Sequence, residues 1–279
     1  KMAKIPIAGS ATHFYTVEAR RQNGYDVKLP GQAVIIHEVD TTRSRPAYVI
    51  DVDGNGDTGD AGAMWGVGET FTDATNGISV SVLSSTSSGF QVSITTPIFT
   101  DVPATHWAFS YIETLFANGV TGGCGSGNYC PDGVATRAQM AVFLLKAKYG
   151  SAYSPPSATG AMFADVPNGY WAVNWIEQLA TEGITGGCGN GNYCPDSSVT
   201  RAQMAVFLLK AKYGNSYSPP APTGGFSDVP TGYWSASWIE QLAAEGITGG
   251  CTVSTYCPEN SVTRAQMAVF LVKTFSLVP

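Results

Sequence analysis

The chain has 279 residues, enough for two or three ordinary domains, and a formal charge of −6 with only 13% of its residues charged. An acidic balance with no lysine or arginine cluster argues against nucleic acid as a partner. No stretch approaches the roughly 18 apolar residues of a membrane-spanning helix, the longest candidate being Met267–Val272.

The first 97 residues read as β structure. His13–Ala19, Ala33–Val39, Ala47–Asp51, Ile78–Val82 and Gly89–Ile94 are rich in β-branched and aromatic residues. Turn residues such as Pro30-Gly31 and Asn76-Gly77 separate them. Short strands spaced in this way predict an antiparallel β-sandwich over residues 1–97. The opening Lys1-Met2-Ala3-Lys4 has no leader character, and the expectation is a piece processed from a longer secreted precursor.

One loop of this region carries candidate chemistry. Asp51, Asp53, Asn55 and Asp57 alternate along it, with Gly56 to turn the chain and Asp60 close behind. Hard oxygen donors at this spacing suit calcium. An EF-hand would need a glutamate where Gly62 stands, and no helical pattern flanks the loop. It is read as a calcium loop on a β scaffold, or as a solvated acidic turn. Gly54-x-Gly56-x-x-Gly59 matches a dinucleotide fingerprint in form only, because Asp57 would repel phosphate and no crossover helix follows.

No catalytic set is predicted. The only His-Glu pair is His37-Glu38, with Thr41 where a zinc protease needs its second histidine, and the segment has strand character. His37 reads as a packed strand residue, and His13 and His106 lack a histidine partner at ligand spacing.

From residue 98 the sequence repeats. Phe99-Thr100-Asp101-Val102-Pro103 returns as Phe163-Ala164-Asp165-Val166-Pro167 and as Phe226-Ser227-Asp228-Val229-Pro230, at offsets of 64 and 63 residues. Units are expected at 98–150, 151–214 and 215–279. In the second, Trp171, Trp175, Ile176, Leu179 and Ala180 predict one face of a helix ended by Gly183. Thr200-Arg201-Ala202-Gln203 fits a capping box opening a second helix, as do Thr136/Gln139 and Thr263/Gln266. Between the two helices lie Cys124 and Cys130, Cys188 and Cys194, Cys251 and Cys257. A C-x5-C spacing is poor for zinc, so three local disulfides and an oxidising, extracellular setting are expected. Tyr153-Ser154-Pro155-Pro156 and Tyr217-Ser218-Pro219-Pro220 read as semi-rigid spacers.

These motifs resemble the S-layer homology repeat: Phe-x-Asp-Val-Pro, then Trp-Ala (Trp234-Ser235 in the third copy), then Gly-Ile-Thr-Gly-Gly (Gly119-Val120-Thr121-Gly122-Gly123 in the first), then Thr-Arg-Ala-Gln-Met-Ala, in the same order in all three copies. The resemblance implies an α-helical three-repeat bundle of pseudo-threefold, three-pronged form, whose grooves bind pyruvylated cell-wall polysaccharide. By position the groove residues would be Asp101, Trp107 and Arg137, then Asp165, Trp171 and Arg201, then Asp228, Trp234 and Arg264. Arginine grips a carboxylate bidentately, and tryptophan offers a flat face to a sugar ring. Alternatively the tryptophans are core residues and the aspartates cap the first helices. The sequence departs from the family in carrying Gln139, Gln203 and Gln266 where glutamate is usual, and in its cysteine-closed loops.

The β region is similar to the C-terminal domain of immune-inhibitor-A-type secreted metalloproteases. The likeness rests on Tyr15–Arg21, Gly24-Tyr25-Asp26, Leu29-Pro30-Gly31 and Gly68–Asp73. Three functions follow as expectations for this multidomain α+β chain. It is a non-catalytic anchor on envelope polysaccharide, a self-assembling subunit of a surface lattice or filament strengthened by calcium, or the released tail of a protease precursor.

Overall fold

The computed structural model describes residues 2–7 and 10–279. Two compact units make up the chain, Lys1–Phe109 and Ser110–Pro279; the first repeat motif, beginning near residue 98, starts inside the first unit.

The first unit contains seven antiparallel strands in two sheets. Met2–Pro6 (β1), His13–Arg20 (β2), Ala33–Asp40 (β3) and Ala47–Val49 (β4) form one, in sequence order. Thr70–Asp73 (β5), Ile78–Thr86 (β6) and Gly89–Thr95 (β7) form the other. Period-two alternation sends Tyr15 and Val17 from β2, Val34 and Ile36 from β3, and Ile78, Val80 and Val82 from β6 into one buried cluster. Ile5, Ile7, Trp65 and Phe71 join it, and the Phe71 ring meets Tyr15 edge-on at 5.1 Å. The Tyr15 hydroxyl donates to Asp73 Oδ2 at 2.8 Å, so a polar group at the core margin is satisfied rather than stranded.

The second unit is helical. Each repeat holds a short first helix and a longer second one: Phe109–Ala117 (α1) and Arg137–Tyr149 (α2), Val173–Thr181 (α3) and Arg201–Tyr213 (α4), Ala236–Ala244 (α5) and Arg264–Phe275 (α6). All three capping boxes form: Thr136, Thr200 and Thr263 each accept the backbone N–H of the glutamine three residues on, and each glutamine reaches back. The first helix differs from the pattern read in sequence. After Pro167 the chain makes two successive turns, Tyr170 N–H to Pro167 O and Val173 N–H to Tyr170 O, so the helix starts at Val173. Trp171 precedes it and is 62% exposed. Val173, Ile176 and Leu179 carry the buried face instead.

Three disulfides form, Cys124–Cys130, Cys188–Cys194 and Cys251–Cys257, one per repeat. The Pro-rich spacers are pinned rather than merely stiff. Tyr153 stacks on Tyr149 at 4.6 Å and meets Trp175 edge-on at 6.0 Å, and Tyr217 repeats this with Tyr213 and Trp238.

Just before each second helix the three repeats meet. Ala135 N–H donates to Val262 O at 2.9 Å, Val262 N–H to Val199 O at 2.8 Å, and Val199 N–H to Ala135 O at 3.0 Å. The pattern closes on itself, and α2, α4 and α6 each touch the other two.

Candidate functional site

The Thr-Arg-Ala-Gln motif places its arginine at the first position of each second helix. A side chain there normally trails into solvent, yet Arg137, Arg201 and Arg264 are only 2%, 4% and 4% exposed. The extended backbone at the capping threonine is bridged to a neighbouring repeat, so the helix start faces that repeat. Arg137 Nε donates to Tyr193 O at 2.7 Å, Arg201 Nε to Tyr256 O at 2.8 Å, and Arg264 Nε to Tyr129 O at 2.7 Å. Each guanidinium also lies over the ring of the same tyrosine, at 4.7, 4.6 and 4.7 Å. The tyrosine hydroxyls donate back to the carbonyls of Arg137, Arg201 and Arg264. Each pair is thus a reciprocal clamp between one repeat and the next, with the third closing on the first.

Burial sets the electrostatics of these joints. Desolvation pulls the Arg137 and Arg201 guanidinium groups below their usual range, and it raises the Tyr256 hydroxyl to about 12. Among the described residues no carboxylate lies within ion-pair distance of Arg137 or Arg201. Their terminal nitrogens make only long bonds, from Arg137 to Thr185 Oγ1 at 3.5 Å and Gln203 Oε1 at 3.5 Å, and from Arg201 to Thr248 Oγ1 at 3.4 Å. Asp165 and Asp228 favour the charged forms of Arg137 and Arg201 from beyond ion-pair distance, so these two joints hold a cation with no directly paired carboxylate.

Asp165 and Asp228 hold a loop and cap no helix. Asp165 accepts the backbone N–H groups of Tyr193 and Cys194, both at 2.7 Å, and Asp228 does the same for Tyr256 and Cys257. They hold the disulfide loop that carries the clamp tyrosine. Asp165 and Cys188–Cys194 are close enough to suggest metal ligands, but both sulfurs are tied up in the disulfide. The sets drawn by repeat also change: the loop held by Asp165 receives Arg137, not Arg201, and the loop held by Asp228 receives Arg201.

Trp107, Trp171 and Trp234 are 62%, 62% and 60% exposed, which excludes the core alternative. Each stands beside a second ring, His106, Tyr170 or Tyr233, at 5.6, 6.0 and 6.0 Å. No described contact joins Trp171 or Trp234 to a guanidinium. The clamp tyrosines went unread in sequence, although Asn128-Tyr129-Cys130, Asn192-Tyr193-Cys194 and Thr255-Tyr256-Cys257 recur beside the second cysteine.

The acidic loop is a compact knot of hydrogen bonds. Asn55 Nδ2 donates to Asp53 Oδ2 and to Asp60 Oδ2, both at 3.0 Å, and Gly56 N–H donates to Asp51 Oδ2 at 2.7 Å. The Gly56 bond is the largest influence on Asp51 and holds its carboxyl below the usual range. Asp51 Oδ1 is buried with no partner, an observation that fits a hard cation. Asp57 instead accepts Gly59 N–H in a local turn.

Residues 98–141, 163–205 and 225–268 match the S-layer homology domain, so the three repeats of this chain are S-layer homology domains. The chain is 30% identical over 178 residues to an S-layer protein of Bacillus thuringiensis subsp. finitimus, covering 63% of this chain and 21% of that protein. It is 27% identical over 166 residues to a cellulosome-anchoring protein of Acetivibrio thermocellus, covering 59% of this chain and 36% of that protein. An endoglucanase of Bacillus sp. strain KSM-635 is 29% identical over 173 residues, 18% of its length. The chain thus spans well under half of each of these relatives. The domain and these relatives place the chain outside the cell, at its surface. No helix among the described residues is long and apolar enough to cross a membrane.

Proposed function

We propose that the three repeats anchor the chain non-covalently to an anionic polysaccharide of the cell envelope, without catalysis, and that the β unit is carried outward as a spacer or displayed module. The observation that carries this reading is the buried, carboxylate-free guanidinium at the joints, described for Arg137 and Arg201. A buried cation without a directly paired counter-charge is costly, and an anionic sugar substituent at the joint offsets that cost. Arg137, Arg201 and Arg264 supply the positive potential, and Trp107, Trp171 and Trp234 supply stacking faces. Asp101, Asp165 and Asp228 act indirectly, through the loops.

In this reading the repeats enclose a pseudo-threefold helical bundle and the two β sheets form a sandwich akin to the immune-inhibitor-A-type module. Calcium is held at Asp51, Asp53, Asn55 and Asp60, with Asp57 in the adjoining turn. The test is co-sedimentation of the purified chain with envelope polysaccharide. Trp171→Ala and Trp234→Ala should each weaken binding severalfold in a folded protein, and undiminished binding in the double variant refutes the stacking role.

Self-assembly is the second reading, favoured by the sheet order, which leaves the seven-residue strand β7 at an edge. Ordered arrays of the purified chain in negative-stain micrographs, without wall material, establish it; dispersed particles remove it.

A further inference from the structure

The outer face of the β1–β4 sheet is not a plain solvated surface. Alternation that buries Val17, Val34 and Ile36 sends Glu18, Arg20, Ile35 and His37 to the opposite side. Glu18 stands directly across from Ile35 in the strand register, and His37 Nδ1 approaches Glu18 Oε1 at 3.8 Å. Two segments fold over this face. One is the 3-10 turn Gly24–Lys28 with Leu29 and Pro30, and the other is the end of the acidic loop with Ala63 and Met64. Together they enclose a cleft of about 290 Å³. His37 therefore lines a cleft and does not sit packed in the core.

The lining states what the cleft accepts. Its walls are aliphatic at Leu29, Pro30, Ile35, Val49 and Met64. It also bears charge: Arg20 Nη1 donates to Asp26 Oδ1 at 2.9 Å and Arg20 Nη2 donates to Glu18 Oε1 at 3.1 Å. Each terminal nitrogen of the guanidinium is thus engaged by a carboxylate of the cleft itself. Glu18 Oε2 and Asp26 Oδ2 accept nothing among the described hydrogen bonds. Even leaving Asp60 to the acidic loop, two carboxylates oppose one guanidinium. An aliphatic cleft with an excess of carboxylates over guanidinium is complementary to an alkyl chain bearing a cation. The volume is at the small end for a ligand pocket and suits a single side chain better than a larger organic ligand.

We propose that this cleft is a binding site for a lysine side chain presented by a polypeptide, the ammonium against Glu18 and Asp26 and the methylene stem along Ile35, Val49 and Met64. The β unit is then itself a recognition module for basic protein segments.

The test uses the full chain, Ile- and Met-methyl-labelled for NMR, titrated with Nα-acetyl-lysine methylamide. The uncharged isostere Nα-acetyl-norleucine methylamide serves as control. The lysine probe should shift the Ile35 and Met64 methyl signals with a dissociation constant on the order of 1 mM, as expected for a ligand this small. The norleucine probe should bind at least tenfold more weakly. Asp26→Asn keeps the shape, removes one charge, and should weaken the lysine probe about threefold to tenfold. Val49→Trp fills the channel from the short strand β4 and should abolish the shifts. If Asp26→Asn does not fold, Val49→Trp still decides. Equal binding of both probes, no shift of Ile35 at 20 times the expected constant (~20 mM), or unchanged binding in folded Val49→Trp overturns the proposal.

Discussion

Arg201→Met separates the two reasons a cell-surface repeat could keep a cation in its core. The substitution preserves bulk and removes charge. On the debit side it loses the charge-assisted bond to Tyr256 O at 2.8 Å, about 1.5–3 kcal/mol. It also loses the stacked contact with the Tyr256 ring at 4.6 Å, about 1–2 kcal/mol. Against this, burial of an unpaired ion carries a penalty of several kcal/mol that the apolar side chain relieves; the lowered proton affinity of Arg201 points the same way. The terms nearly cancel, so Arg201→Met should change stability by no more than about 2 kcal/mol. For a unit of this size that is a midpoint shift within about 8 °C. Arg201→Ala adds a cavity and should cost about 2–4 kcal/mol more. Thermal and urea unfolding, followed by polysaccharide co-sedimentation of each folded variant, gives the comparison. If the arginine is kept for its ligand, Arg201→Met remains folded and binds much more weakly. A loss above about 4 kcal/mol in Arg201→Met, or full binding by that variant, would refute the argument and leave the residue as a structural keystone.

Other outcomes follow from the same geometry. Glu177 accepts backbone N–H groups of Thr159, Gly160 and Met162. Burial opposes its ionised form, but these bonds outweigh burial and hold the carboxyl below its usual range. Its contribution to stability is complete above the unfolded value near 4.3 and is lost as pH falls through the lower folded value. Glu177→Gln should cost about 2 kcal/mol at neutral pH and flatten the acid limb of a stability–pH curve; an unchanged limb contradicts the assignment. Replacing Cys188 and Cys194 together by serine should cost about 2–2.5 kcal/mol in chemical denaturation, and a negligible change would show that Asp165 alone holds the loop. Calcium should raise the unfolding midpoint of the β unit, with chelator or Asp53→Asn reversing it; identical melting curves rule out the metal site.

Local features were legible in the sequence because their partners lie close along the chain. The capping boxes at Thr136, Thr200 and Thr263 and the three cysteine pairs each span only a few residues and formed as read. Five strands were legible from their β-branched and aromatic runs, while β1 (Met-Ala-Lys-Ile-Pro), which lacks such a run, and β5 (Thr-Phe-Thr-Asp) were not among them. The arginines stood out as groove residues through the repeated motif, but their burial was invisible. Arg137 meets Tyr193 and Arg264 meets Tyr129, partners 56 and 135 residues away whose proximity follows only from how the repeats close. Trp171 was misplaced because its spacing to Trp175 mimics a helical face, whereas the turns after Pro167 delay the helix.

The closed circuit of hydrogen bonds among Ala135, Val199 and Val262 limits how this surface module can evolve. In an open stack, duplication lengthens the array, since each end offers an unpaired face to a newcomer. Here every donor and acceptor in the circuit is already matched, and the arginine of the last copy is spent on the tyrosine of the first. A fourth copy would have to break the circuit to enter it. Loss of one copy would leave two joints without partners. The number three is therefore set by the geometry of closure, and growth of such proteins has to occur outside the ring, by attaching different domains to it.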